Sequence, residues 1–293
     1  MTDQAIPMNA YAPSDKSYPK LRKGLVRAAI YLILILNLVL TGYPLVWMII
    51  GAFKTNEEYY GDPWGFPKAL QWDNFRRAWE YGVKDYMFNS FYITALSVLG
   101  LLLVASLISY YLARRPFRGS KFLLLFFLFG MMIPGQSTLI PLTLLMKELG
   151  LLNTFFALFF PYVAFGLPVA VYLMTGYFQQ IPKELDEAAT VDGSGIYRTF
   201  ASIYLPLGRP IISTITILSA FSIWNEFILP LVFANKDYLK GLPIGLMTFR
   251  GGFTAEYAVI SAALVLATLP VILLYLLLSK QIESGLTAGA VKG

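Results

Sequence analysis

The sequence predicts an all-α membrane protein of six transmembrane helices, with a helix–turn–helix held between the fourth and the fifth. Composition is the first reason: of 293 residues, 57% are hydrophobic and 14% charged, and the mean hydropathy is +0.62. A soluble domain is about 45–50% apolar and about 25% charged, so the surplus needs lipid to bury it. The second reason is six apolar stretches, at 27–52, 87–113, 122–145, 155–178, 210–234 and 256–279, each long enough to cross about 30 Å of hydrocarbon. The third is where the basic residues fall. With the N-terminus inside, the tail as far as Arg27 and the segments 114–121, 179–209 and 280–293 hold most of the 23 lysines and arginines, as the positive-inside rule requires. The chain therefore divides into a cytoplasmic N-terminal tail (1–26), a six-span domain (27–279) and a cytoplasmic C-terminal tail (280–293) of a multi-pass protein of the cytoplasmic membrane.

The first apolar stretch is a span and not a secretion signal. It starts near residue 27, outruns the about 7–15 apolar residues of a signal core, and lacks a small-residue cleavage site. The segment 53–86 after it collects tryptophan and tyrosine, which suits a membrane interface. Within it, 73–81 reads as a short amphipathic helix with Asp73 as N-cap, lying on the outer surface. The second and third spans are joined by the tight basic turn Arg114-Arg115-Pro116-Phe117-Arg118-Gly119-Ser120-Lys121, the strongest single indicator of orientation. Pro44, Pro134, Pro141, Pro161, Pro168, Pro230 and Pro270 fall within spans. The carbonyls they free must be re-satisfied by neighbouring helices, hydroxyls or water, so the bundle should pack against other protein or line a cavity.

The segment between the fourth and fifth spans carries its own helix signals. Pro182 suits a first helical position, and Glu184, Asp186 and Glu187 complement a positive N-terminal end. Gly193 suits the left-handed residue that closes a helix. A second helix is expected from about Gly195 to Tyr204, stopping at Leu205-Pro206. An amphipathic connector resting on headgroups is the plainer alternative, but four carboxylates in the first half would be repelled by anionic lipid.

In the fifth span, Ser219, Ser222 and Glu226 are three and four residues apart and share one helical face, with Thr216 at its edge and Asn225 off it. A polar stripe with an intramembrane acid suits contact with a hydroxyl-rich cargo along a path. The same residues could instead tie helices together by hydrogen bonds. The 235–255 loop, with Gly241, Gly245, Gly251 and Gly252 among aromatics, is either a flexible or a tightly folded protrusion.

The sequence has no cysteine and no histidine, which excludes disulfides, thiolate chemistry, His-ligated metals and the usual general base. The net charge of +6 sits beside apolar stretches and not in a nucleic-acid patch. No Gly-x-x-x-x-Gly-Lys-Ser/Thr run occurs, so the chain has no P-loop of its own. A secondary transporter, the less favoured alternative, would need more intramembrane acids than Glu226 and an inverted repeat, of which no clear one is seen; a membrane enzyme would need clustered catalytic groups, for which the sequence offers no material.

The run Glu187-Ala188-Ala189, three residues, Gly193, nine residues, Ile203, one residue, Leu205-Pro206 resembles the EAA loop of ABC-importer permeases at every defining position. Ile181-Pro182-Lys183-Glu184-Leu185, Trp224-Asn225-Glu226-Phe227 and the small-residue terminus 285–293 are similar to the MalG-type subunit of carbohydrate importers. The resemblance covers all six spans and leaves out the tail to about residue 25. It implies the type I importer fold and a cargo of carbohydrate, with glycerol-3-phosphate the alternative. It also implies a separate ATP-hydrolysing subunit, present in two copies and binding ATP and Mg, that receives the loop. Glu187 would make the charged contact, Ala188, Ala189 and Gly193 would permit close packing, and Asp192, Ile203, Leu205 and Pro206 complete the coupling motif. The further partners implied are a second, non-identical permease subunit, an extracytoplasmic solute-binding protein reached by the 235–255 loop, and membrane lipid. The C-terminal tail is either a disordered end or a contact to the ATPase subunits.

Overall fold

The computed structural model describes residues 20–252 and 256–290, and all secondary structure among them is helical. The expected contact of 291–293, the tip of the C-terminal tail, lies outside the described residues, as does most of the N-terminal tail. The chain forms two compact units, 1–48 and 49–293. The first consists, in its described part, of helix α1 (Lys20–Ala52) as far as residue 48; the helix begins ahead of the expected residue 27 and runs through Pro44 without ending.

The second unit opens with a short cap. After Ala52 the chain turns into α2 (Asn56–Gly61), whose Thr55 makes a reciprocal capping box with Glu58. The Lys54 ammonium is buried and donates to the Asp62 carbonyl at 2.6 Å. Asn74, on α3 (Asp73–Ala78), donates to the carbonyls of Ala52 and Lys54 at 2.9 and 2.8 Å and so fastens this helix to the end of α1. Asp73 is not the N-cap: Trp72 holds that position without a side-chain bond, and the Asp73 carboxylate turns to Arg76 at 2.7 Å instead. Nor does the helix stop at 81. It continues through a π turn at Trp79–Val83, kinked where Gly82 takes φ +117°, into α4 (Lys84–Arg114). Only glycine adopts that conformation at low cost.

The core is α4 against α7 (Phe156–Gln180). Their backbones approach closely because small residues face bulky ones: a Cβ on Gly166 would lie 2.6 Å from Leu101, and one on Gly100 2.6 Å from Phe159. Leu101, Ala105, Val171, Met174 and Phe178 fill the seam, all essentially inaccessible. Pro161 and Pro168 are buried inside α7 and do not break it.

Three uninterrupted helices among the described residues are long and apolar enough to cross a membrane: Gly24–Ala52, Asp73–Arg114 and Phe156–Gln180. Two further stretches qualify only as bent pairs. The expected straight span at 122–145 is α5 (Ser120–Gly130) followed by α6 (Leu139–Glu148), turned by 93° at a Pro134-Gly135 break. Ser137 and Thr138 donate to the carbonyls of Pro134 and Gly135, both at 2.7 Å, so hydroxyls take up the acceptors that the break exposes. The second bent pair is Ile196–Leu207 with Arg209–Trp224; the expected span at 210–234 is itself two pieces, α11 (Arg209–Trp224) and α12 (Ile228–Phe233), with 225–227 outside helix.

The 235–252 segment is tightly folded. A 3-10 turn at Asp237–Leu239 precedes α13 (Leu242–Gly252), and Asn89 of α4 donates to the carbonyls of Asp237 and Lys240 at 2.9 and 3.0 Å. A Cβ on Gly245 would fall 2.3 Å from the Tyr86 ring. This glycine therefore serves a close approach and not flexibility. Helix α14 (Tyr257–Ala290) starts in the apolar stretch and continues past the expected end at 279, so 280–290 is helical and not a loose tail.

Candidate functional site

The residues singled out by the sequence gather in two places, the segment between α7 and α11 and the wall of a cavity beside α11. In the first, α7 ends at Gln180 because Ile181 is extended (ψ 133°) ahead of Pro182, as a residue before proline prefers. Helix α8 (Glu184–Val191) follows with Lys183 as its N-cap, so Pro182 precedes the helix and is not its first residue. At its end the amide of Gly193 donates to Thr190 and that of Ser194 to Ala189, at 3.1 and 2.8 Å. Gly193 has φ +70° in open space. This is a Schellman closure, in which glycine is needed for its backbone and not for room.

The second helix is α9 (Ile196–Thr199), widened into a π turn at Phe200–Tyr204 and continued as α10 (Leu205–Leu207). It does not stop at Leu205-Pro206. The π turn shifts the pairing ahead of Pro206, which has no amide proton to offer, and the chain bends by 74° at Gly208 instead. There a Cβ would sit 2.7 Å from the Tyr204 carbonyl and 2.8 Å from Phe178.

Of the eight motif positions, Glu187, Ala188, Asp192, Gly193 and Pro206 are exposed. Ala189 is buried against the chain's own body, and Ile203 and Leu205 pack on the α4–α7 core. Ala188 alone is thus the small alanine on the outer face. Beside it, Val191 and Tyr197 stand 88% and 74% exposed, an apolar surface that single-chain packing leaves uncovered.

A charged knot, which sequence reasoning did not assemble, fixes this element. Arg114, at the end of α4, has a side chain only 3% exposed. Its Nε and Nη2 reach Asp186 Oδ2 at 2.8 and 2.6 Å, and its Nη1 and Nη2 donate to the carbonyls of Ile181 and Pro182 at 3.0 and 3.2 Å. The Tyr204 hydroxyl donates to the same Asp186 oxygen at 2.7 Å, and the guanidinium lies over the Tyr204 ring, 5.3 Å from its centre. Burial first, and then the bond to Asp186, push the Tyr204 phenol above its ordinary value, so it stays protonated and donating. Asp186 Oδ1 is buried without a partner. Arg114 belongs to the basic turn and Asp186 to the acidic first turn of α8; a charge of each sign at the facing ends of two apolar runs was the available signal.

The second place is a cavity of about 230 Å³ between α7 and α11. Ser219, Ser222 and Glu226 line it together, with Tyr162 and Phe165 opposite. Glu226 does not lie inside a helix, however. Its Oε1 accepts from the amides of Ile228 and Leu229 at 2.8 and 3.2 Å, capping α12 across the break after Trp224. Asn225 turns away and donates to the Phe221 carbonyl at 2.8 Å. Thr216 faces a different, apolar groove between α4, α11 and Pro270. The cavity's charged lining is thus a carboxylate already half engaged with backbone.

Residues 103–287 match the family described as the binding-protein-dependent transport system inner membrane component. The chain is 36% identical to a probable ABC transporter permease protein, YurM, of Bacillus subtilis, over 95% of this chain and 93% of that one. It is 34% identical to the trehalose/maltose transport system permease protein MalG of Thermococcus litoralis, over 88% and 94%. In structure it is similar to a chain of a bacterial ABC transporter involved in the import of the acidic polysaccharide alginate. That likeness has a TM-score of 0.76 at 23% identity and covers 92% of this chain and 98% of that one.

Proposed function

The chain belongs to the family of binding-protein-dependent transport system inner membrane components, and on that premise we propose that it is the membrane-spanning permease subunit of an ATP-driven carbohydrate importer, with an oligosaccharide as cargo. The observation that carries the reading is similarity along nearly the whole chain to a permease named for trehalose and maltose. In this reading the polypeptide crosses the cytoplasmic membrane six times with both termini in the cytoplasm, the crossings being α1, α4, α5 with α6, α7, α11 with α12, and α14. It works beside a second, non-identical permease subunit and takes cargo from an extracytoplasmic binding protein. Two copies of a separate subunit bind ATP and Mg and hydrolyse the nucleotide, since no P-loop exists on this chain.

The exposed face of α8 suits the docking role. Glu187 offers a carboxylate to an arginine, a geometry that resists shear. Ala188 leaves room for close approach, while Val191 and Tyr197 supply apolar area to fill a cleft. Closure of the ATPase subunits would then rock the permease between inward- and outward-facing states. The cavity beside α11 suits one wall of the path: hydroxyls, one carboxylate and two aromatic rings. At about 230 Å³ it is smaller than the roughly 300–1,000 Å³ of a drug-sized ligand pocket, which fits a path completed by the other permease subunit. Glycerol-3-phosphate is disfavoured by the same wall, whose one charged residue is Glu226.

Glu187→Lys should abolish uptake and weaken copurification of the ATPase subunit while membrane insertion stays intact; normal uptake by this variant refutes the docking role. A panel of labelled sugars offered to proteoliposomes holding the complete importer identifies the cargo. Failure of every sugar, with uptake of a phosphate ester, would overturn the carbohydrate reading.

A further inference from the structure

We propose that Arg114, Asp186 and Tyr204 are positioning residues that make the 181–207 element and the end of α4 move as one body, so that motion imposed on the loop reaches the membrane helices directly. The inference rests on the docking role proposed above, and adds where the force goes next.

Three features of the knot carry it. It joins parts of the chain that are remote in sequence and adds directed polar bonds to the apolar packing of Ile203 and Leu205. Asp186 belongs to the first half of the element and Tyr204 to the second, and both are bonded at one carboxylate oxygen (2.7 Å from Tyr204, 2.6 Å from Arg114). Arg114 then adds the chain's approach to α8, through the carbonyls of Ile181 and Pro182. A single guanidinium thus ties α4, the end of α7 and both halves of the loop.

The knot is also closed to water at its centre. Tyr204 is fully buried, with its ring 4.8 Å from Tyr110 of α4 and 5.7 Å from Phe178 of α7. In that setting a charged fork is directional and resists sliding more than an apolar contact does. Finally, the knot lies away from the docking surface. Glu187, Ala188 and Val191 point outward while Asp186, their neighbour on the same helix, points inward. One helix therefore carries a receiving face and a transmitting face.

The test uses the whole importer, reconstituted with its ATPase and companion permease. The sequence has no cysteine, so spin labels at Glu184→Cys, exposed in the first turn of α8 and outside the docking face, and at Arg118→Cys are the only ones on this chain and report the distance between α8 and the turn after α4. The expected result is one narrow distance, unchanged between the nucleotide-free and the ATP-vanadate-trapped complex. Tyr204→Phe keeps the ring and its packing and removes only the hydroxyl, so it tests the knot without emptying the core. It should broaden the distance and lower solute moved per ATP hydrolysed by about 2- to 30-fold, with subunit assembly unchanged. Asp186→Ala should do the same more strongly, and Asp186→Asn, which keeps an acceptor for Tyr204, should recover part of the loss. A distance that shifts on trapping in the otherwise unaltered chain overturns the proposal, as does Tyr204→Phe with unchanged distance and unchanged solute per ATP. If no ATPase subunit copurifies, the docking reading fails separately; the label distance is then read on the permease alone, where a broad distribution overturns the knot and a narrow one sustains the rigid link.

Discussion

Among the described residues, two arginine–carboxylate pairs join distant parts of the chain, and they are built differently. Arg114 is 3% exposed and spreads its fork over Asp186 and two backbone carbonyls, with an aromatic ring beneath. Arg77 pairs with Glu256 from a site about a third open to solvent, the two side chains being 32% and 28% exposed, and its guanidinium stands 5.8 Å from the Tyr81 ring. Each pair bridges elements remote in sequence, α4 to α8 in one case and α3 to the start of α14 in the other. The difference lies in what is left behind on rupture. At Arg114 the loss strands a mostly buried carboxylate and two carbonyls; at Arg77 water replaces the partner. Burial therefore turns the first pair into a positioning device and leaves the second as a tether, although in sequence both are an arginine and an acid.

The comparison breaks most decisively at Arg114. Arg114→Ala leaves Asp186 without its countercharge, and removing one partner of a buried pair costs about 3 kcal/mol or more. The expected result is a large drop in the thermal midpoint of the detergent-solubilised protein that added salt does not reproduce in the parent chain. A midpoint within experimental error of the parent would put the two pairs in the same class and remove the basis for separating them.

Much of the architecture was legible because apolar length is a property of the sequence itself. The stretches that became α1, α4 and α7 were visible, as were α8 and its Gly193 closure. What was not legible depended on how elements meet. Pro134 was read as lying within a span at 122–145, whereas the chain turns by 93° there; proline frees backbone groups, but only the surroundings decide whether they are satisfied by continuing or by turning. Glu226 looked like an acid in mid-helix because its neighbours are apolar, and the break that lets it cap α12 has no local signature beyond Asn225 before it. The glycines of 235–252 were ambiguous until Tyr86 was seen against Gly245. The Arg114–Asp186 pair spans 72 positions and exists because α4 and α7 end at the same level, which no spacing rule encodes.

Glu226 sharpens the comparison from a third side, as a carboxylate paired with amides in place of an arginine. Glu226→Ala uncaps Ile228 and Leu229 and should cost about 1 kcal/mol, the usual worth of a helix cap. Glu226→Gln retains an acceptor oxygen, so its thermal midpoint should stay near the parent. If Gln lowers uptake while leaving that midpoint alone, the charge acts in the cavity; if both variants lose stability equally, the carboxylate belongs to the α12 cap alone.

The smallest effect is expected at Arg77. This ion pair is partly open to solvent, which screens it, and pairs in reach of water are worth about 0.2–1 kcal/mol. Arg77→Ala and Glu256→Gln should each shift the thermal midpoint slightly and by similar amounts, and the double variant should match either one. Raising ionic strength toward 1 M, where the screening length falls to about 3 Å, should narrow the gap between Arg77→Ala and the parent. The same titration should leave the larger deficit of Arg114→Ala in place, because salt does not enter a site with a 3% exposed guanidinium. Salt-independence at Arg77 would mean that water does not replace its partner, and the contrast between the two arginines would then rest on geometry and no longer on burial.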